Sequence, residues 1–270
     1  MVSKRVWSLL LALTLATGLL TGCGAAPETA QQDDDRPALV VGVDPFPPFA
    51  YIGSAGAPAG IDIDLATEAF DRMGYRAEFR FIDWTAKAEL LADGDIDCLW
   101  CCFSMNGREE NYRWAGPYMR SRQVVAVMPD SDITSLSELE GKTMAVHATT
   151  EPEALFLHPD EYGLPQLREL ISLQNRELMY PFLSKGYVDA IGSHETSILQ
   201  YMADYGVELR ILDQPLLTVG LGAAFDLHDE RGLDGTLNAV LTDMRRDGTV
   251  EAVISGYLPD AASYLEVDGQ

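Results

Sequence analysis

The chain has 270 residues, 47% hydrophobic and 23% charged, which is enough apolar material for one large domain or two smaller ones. Nineteen Lys and Arg against 42 Asp and Glu give a formal charge of −23, which repels a phosphate backbone, so no nucleic-acid partner is expected. Four cysteines are too few for a disulfide scaffold, and 23 Gly and 14 Pro exclude collagen-like and low-complexity classes.

Residues 1–22 read as a signal peptide. Lys4 and Arg5 make its positive start, and the apolar run from Val6 to Leu20 is short for a spanning helix, which needs about 20 residues. The run closes on Leu20-Thr21-Gly22-Cys23. An aliphatic residue, two small ones and a cysteine resemble the bacterial lipobox. That resemblance implies cleavage before Cys23 and lipidation of its sulfur. Residues 23–37 lack a hydrophobic period and read as a lipidated tether. The body is then expected outside the cytoplasm, anchored to the cell membrane by acyl chains.

From Ala38 onward, short apolar strands alternate with amphipathic helices. Ala38–Val43 is a buried strand by its continuous apolar run. Asp62 and Asp64 open a helix with Leu65, Ala66, Ala69, Phe70 and Met73 on one face, and Gly74 stops it. A strand at Ala77–Ile82, a helix at Thr85–Asp93 and a strand at Ile96–Cys102 complete a βαβαβ series, which implies a parallel sheet. A second series starts near Gln123, with strands at Val124–Met128, Thr143–His147, Leu170–Leu173 and Val188–Ser193. Ser135-Leu136-Ser137-Glu138 and Thr150-Glu151-Pro152-Glu153 are capping boxes. Residues 175–185 are helical with Pro181 as a kink or restart, and Ser197–Asp204 is a helix. Leu216–Phe225 is extended, and two helices near 230–246 and 249–257 flank Asp247-Gly248.

In open parallel sheets, ligands bind beyond the carboxyl ends of strands. That rule selects Asp44 and Phe46, Asp83-Trp84, the stretch from Cys101 to Arg108, the stretch from His147 to Thr150, and His194-Glu195. Thr149 and Thr150 open a helix whose free amides suit a carboxylate, although simple capping is the commoner role. Cys98 and Cys101 would face opposite sides of a strand, so buried, inert thiols are favoured over a metal or redox pair. His147, His158, His194 and His228 are scattered without ligand spacing, and no metal or cofactor is expected. No GxSxG, Walker or GxGxxG signature stands after a strand.

Read together, several segments resemble the polar-amino-acid type of extracytoplasmic solute-binding protein, the receptor of ABC importers. They are Val43-Asp44-Pro45-Phe46-Pro47-Pro48-Phe49, Gly60-Ile61-Asp62-Ile63-Asp64-Leu65, Asp83-Trp84, Gly94-Asp95-Ile96-Asp97, Arg108 and Trp114-Ala115-Gly116-Pro117-Tyr118. Leu139-Glu140-Gly141-Lys142, Gly186-Tyr187-Val188-Asp189-Ala190 and Asp247-Gly248-Thr249 follow in order, so the match spans about 38–258. The resemblance implies an α/β, two-lobed, periplasmic-binding-protein-like clamshell of type II, each lobe a mainly parallel sheet flanked by helices. Lobe 1 would hold 38–121 plus 220–270 and lobe 2 would hold 122–219, with crossing strands near Ser121–Val125 and Leu216–Gly220 as the hinge. It also implies a monomer that closes on a small carboxylate, an amino acid or a relative, and docks on a membrane permease.

By position, the resemblance gives Arg108 and Ser104 the ligand's α-carboxylate, assisted by Thr149 and Thr150, with Phe46 and Trp84 as sandwiching aromatics. A forked guanidinium suits that task, and more so once water is excluded. Asp44, Cys102, His194 and Glu195 complete the candidate ligand-binding set. The segment between Asp97 and Arg108 is one residue shorter than usual, so the role of Ser104 can slip to Phe103 or Met105. The acid that grips an α-ammonium should stand five residues after Asp189, where this chain has His194. Either Glu195 swings in, or Asp44 acts alone, or the ligand is not a standard α-amino acid. The expectation is a binding protein and not an enzyme. A dehydratase acting on a ring carboxylate, with His194 or Glu195 moving a proton, is one alternative. A ligand sensor with a separate signalling partner is another.

Overall fold

The computed structural model describes residues 35–265. The expected signal peptide, Cys23 and most of the expected tether lie outside the described residues.

The chain opens with β1 (Ala38–Val43), the short hairpin β2 (Tyr51–Ile52) and β3 (Pro58–Ala59), α1 (Ile61–Met73), β4 (Arg76–Phe81), α2 (Lys87–Ala92) and β5 (Cys98–Leu99). A 15-residue strand follows, β6 (Arg113–Val127), then β7 (Thr143–His147), α3 (Glu151–Leu157), α4 (Pro159–Tyr162) and β8 (Glu169–Leu173). The last stretch is α5 (Met179–Ser184), β9 (Ala190–His194), α6 (Glu195–Tyr205), β10 (Arg210–Ile211), β11 (Leu217–Phe225), α7 (Leu233–Arg246) and α8 (Thr249–Ser255).

Nine strands form one sheet in the order β4-β1-β5-β11-β6-β9-β7-β8, with β10 beside β6. β4, β1 and β5 are mutually parallel, as are β9, β7 and β8. β11 runs antiparallel to β5 and β6, and β6 antiparallel to β9, so two long strands join two parallel sets. The crossing segments that the resemblance implies are partners, with Leu217 opposite Gln123 and Gly220 opposite Arg120. The interior is divided accordingly. A larger apolar cluster draws on residues 39–119 and 219–261, and two smaller ones draw on 124–212. This is the periplasmic-binding-protein-like type II architecture, with a larger and a smaller half.

Local sequence explains most boundaries. Gly74 ends α1 in the left-handed region at φ 82°. Gly60, before α1, has φ 130°, and a Cβ there would lie 2.3 Å from the carbonyl oxygen of Phe49, so only glycine fits. Ser135 and Glu138 form their capping box.

Three expectations need correction. The second series does not begin at Gln123, because β6 starts at Arg113 and runs through Gly116-Pro117. Proline is rare inside a strand, but this one lies opposite a register shift in β11 between Leu221 and Ala223, where a strand tolerates it. The strand expected at Ile96–Cys102 is only Cys98–Leu99, since Cys102 turns at φ 48° toward α1. Thr150 stands at the N-cap of α3 without a capping bond, because its hydroxyl donates to the carbonyl of His147 at 2.6 Å.

Candidate functional site

The carboxyl ends of β1, β5, β7 and β9 converge on one cavity between the two halves. Phe46, Trp84, Cys102, Ser104 and Arg108 line it from the larger half, and Thr149, Thr150, Glu151, Arg176 and His194 from the smaller. Its volume is about 30 Å³, far below that of a pocket built round a small molecule. A ligand of several heavy atoms therefore enters only if the side chains across the cavity part.

The floor on the larger side is set by Asp62 in the first turn of α1. Its Oδ2 accepts the Cys102 amide at 2.6 Å, fixing the 101–104 loop against the helix. Complete burial raises its carboxyl from 3.8 to about 7. Cys101 donates to the carbonyl of Asp44 at 3.2 Å. Cys98, Cys101 and Cys102 are free, buried thiols, and burial pushes all three well above the ordinary range. Cys101 and Cys102 thus sit on a loop at the cavity and not in a strand.

The aromatic candidates are walls. Phe46 is buried, with its ring 5.5 Å from that of Phe49 and the Arg176 guanidinium 3.5 Å above it. Trp84 packs edge-on against Phe103 at 5.3 Å. Ser104 falls in the cavity lining, where its hydroxyl is buried and makes no hydrogen bond within the chain, as do Ser193 Oγ and Gln123 Oε1.

Four charged groups face one another here. Arg108 Nη1 donates to Glu151 Oε2 at 2.6 Å across the cavity. Asp44 Oδ2 accepts from Arg176 Nη2 at 3.0 Å and Nε at 3.3 Å. Burial nevertheless raises the Asp44 carboxyl, outweighing the lowering by Arg176. Sequence reasoning passed over Arg176 and Glu151. Arg176 opens a short 3₁₀ turn before α5 with nothing local to mark it, and Glu151 read as part of a capping box.

His194 and Glu195 are placed differently from one another. His194 is buried in the cavity wall, its Nδ1 2.7 Å from Ser121 Oγ and its Nε2 2.7 Å from Gln123 Nε2. Both ring nitrogens are thus engaged within the wall. Burial, then Arg176 and Arg108, lower the ring to about 3, so it is neutral. Glu195 does not line the cavity, and its carboxylate accepts from Arg122 Nη1 at 2.9 Å. His147 is also buried, held near 3 by burial first and then by Arg176. Among the described residues, no group of three His, Cys, Asp or Glu side chains is placed to hold a metal ion.

A two-half α/β body with charged and hydroxyl side chains of both halves facing one cavity has the build of a solute-binding clamshell. The chain belongs to family 3 of the bacterial extracellular solute-binding proteins, whose model matches residues 39–260. It is 23% identical over 262 residues to the probable amino-acid-binding protein YxeM of Bacillus subtilis, covering 95% of this chain and 96% of that one. It is 26% identical over 227 residues to the histidine-binding periplasmic protein of Escherichia coli, covering 80% and 86%. Among solved structures, that of Tv2483 bound to L-arginine superposes with a TM-score of 0.78 at 27% identity, covering 86% of this chain and 95% of the other. Among the described residues, no helix is long and apolar enough to cross a membrane.

Proposed function

We propose that this protein binds an amino acid or a related small carboxylate between its halves and delivers it to an ABC permease. Residues 38–121 plus 220–270 act as lobe 1 and 122–219 as lobe 2. The protein works outside the cytoplasm as a monomer, held to the membrane through lipid on Cys23.

One observation carries the reading: Arg108 of one half already holds a carboxylate, that of Glu151, from the other. A ligand carboxylate replaces Glu151 on the same fork, and closure then excludes water from the pair. Ser104 and Thr150 add hydroxyls, and Phe46 and Trp84 bound the ligand body. The relatives named for amino acids support the ligand class.

A thermal-shift screen of amino acids and small carboxylates tests this. Stabilisation by at least one of them is expected, scaling with concentration as binding to the folded form alone requires. A flat response across the whole screen contradicts the reading. For the anchor, Cys23→Ser should release the protein from membranes, and full retention would contradict lipidation.

A further inference from the structure

The ionised acids in and around the cleft are already engaged, while Asp62 beneath it is raised to about 7 by burial. Asp44 accepts from Arg176, Glu151 from Arg108 and Glu195 from Arg122. Glu153 accepts from the Thr149 amide, and Asp83 from the amide and hydroxyl of Thr85.

The cations are placed otherwise. Buried Lys87 sets its Nζ 2.8 Å from Thr149 Oγ1, 3.3 Å from the Trp84 carbonyl and 3.4 Å from the Thr149 carbonyl, all neutral oxygens. Burial first, then Arg108, lower it to about 8. Asp44 takes only the Nε and Nη2 corner of Arg176, leaving Nη1 of the five-donor fork unused. His194, in the wall, feels both Arg108 and Arg176. An ammonium set against that neutral ring would meet two guanidinium groups, and the carboxylate of Asp44 is already held by one of them. An anion at the same place gains from both. Ser104 Oγ and Ser193 Oγ, buried and unpartnered, stand ready as donors.

We infer that the cleft selects a small dianion, with an acid group at each end and no ammonium, one end on Arg108 in place of Glu151 and the other on the open corner of Arg176. This rests on the carboxylate-binding reading above and narrows its ligand class.

Titration calorimetry of the purified protein tests it with matched pairs: glutarate against glutamate, and succinate against aspartate. Butyrate serves as the single-acid control, and neutral and basic amino acids complete the panel. Each dicarboxylate should bind at least about tenfold more tightly than its amino counterpart, and glutarate about tenfold more tightly than butyrate. Arg176→Gln should bring glutarate to within about threefold of butyrate, which corresponds to well under 1.4 kcal/mol. If that variant loses its native circular dichroism, Arg176→Lys keeps the charge without the fork and should still shrink the preference. Any amino acid binding as tightly as its dicarboxylate, or butyrate equalling glutarate, overturns the inference and leaves the proposed function standing. An amino acid whose binding disappears in Glu151→Gln would assign the ammonium to Glu151 and likewise overturn it. If nothing in the panel binds, both readings fall.

Discussion

Among the described residues, Asp44–Arg176 and Arg108–Glu151 are ion pairs between the halves, and they are built in opposite senses. In one the larger half supplies the acid, Asp44, and the smaller half the guanidinium of Arg176. In the other the larger half supplies Arg108 and the smaller half Glu151. The Asp44 pair is stacked on Phe46, with Asp44 on a short side chain at the end of β1, so its geometry is tied to the sheet. The Glu151 pair joins a longer side chain at the start of α3 to an arginine on a loop. On the proposed reading the same chemistry does two jobs: the carboxylate on a short, stacked stem acts as structure, and the one on a long stem at a helix start is a placeholder that a ligand displaces.

Breaking the structural pair should have the largest effect. Asp44→Ala leaves Arg176 buried over Phe46 without its acid, a loss of about 3–5 kcal/mol for a pair of this kind. A fall in Tm of roughly 10 °C is expected by calorimetry, at about 2–4 °C per kcal/mol for a chain of this size. A shift under about 2 °C would show that the pair is loosely held.

Next is the floor under the cleft. The Asp62 carboxyl is raised to about 7, above its unfolded value of 3.8, so its contribution is complete below 3.8 and is lost as pH rises through 7. His194 and His147 lie near 3, below their unfolded 6.5, so their contribution is complete above 6.5 and is lost as pH falls toward 3. Between about pH 4.5 and 6.5 Asp62 offsets one histidine. Asp62→Asn removes that offset, so its stability should fall more steeply with acid than the parent's by about 1.4 kcal/mol per pH unit. Denaturant melts across that window check the difference, and parallel pH profiles would contradict the buried, protonated Asp62.

The smallest expected effect sharpens the comparison. Glu151→Gln removes the competing charge from Arg108 while keeping the side-chain length. Affinity for a small carboxylate should rise about tenfold, the equivalent of about 1.4 kcal/mol. A loss of affinity would mean that Glu151 holds the ligand directly.

Much of the fold was legible in the chain. Continuous apolar runs marked β1 and β11, and Gly74 and Gly248 marked helix limits, because those signals are local. β6 was half missed, since the tolerance for Pro117 comes from a bulge in a strand about a hundred residues away. The site followed the same division. Phe46, Trp84, Cys102, Ser104, Arg108, Thr149, Thr150 and His194 were all picked out and all line the cavity. Asp44 was picked out as well, but the sequence does not show that Arg176 already holds it. Glu195 was expected as a contact, yet the first residue of α6 turns to Arg122 on β6 instead. Pairings across the cleft depend on how the two halves meet, and no local pattern encodes them.

The central claim is that Arg108 is the ligand's carboxylate anchor. Calorimetric titration of Arg108→Ala, with the best small carboxylate from the screen, tests it most directly. Removing one partner of a buried pair costs about 3–5 kcal/mol, so affinity should fall by roughly two to three orders of magnitude in a variant that keeps its native circular dichroism. Unchanged affinity in that folded variant would contradict the account.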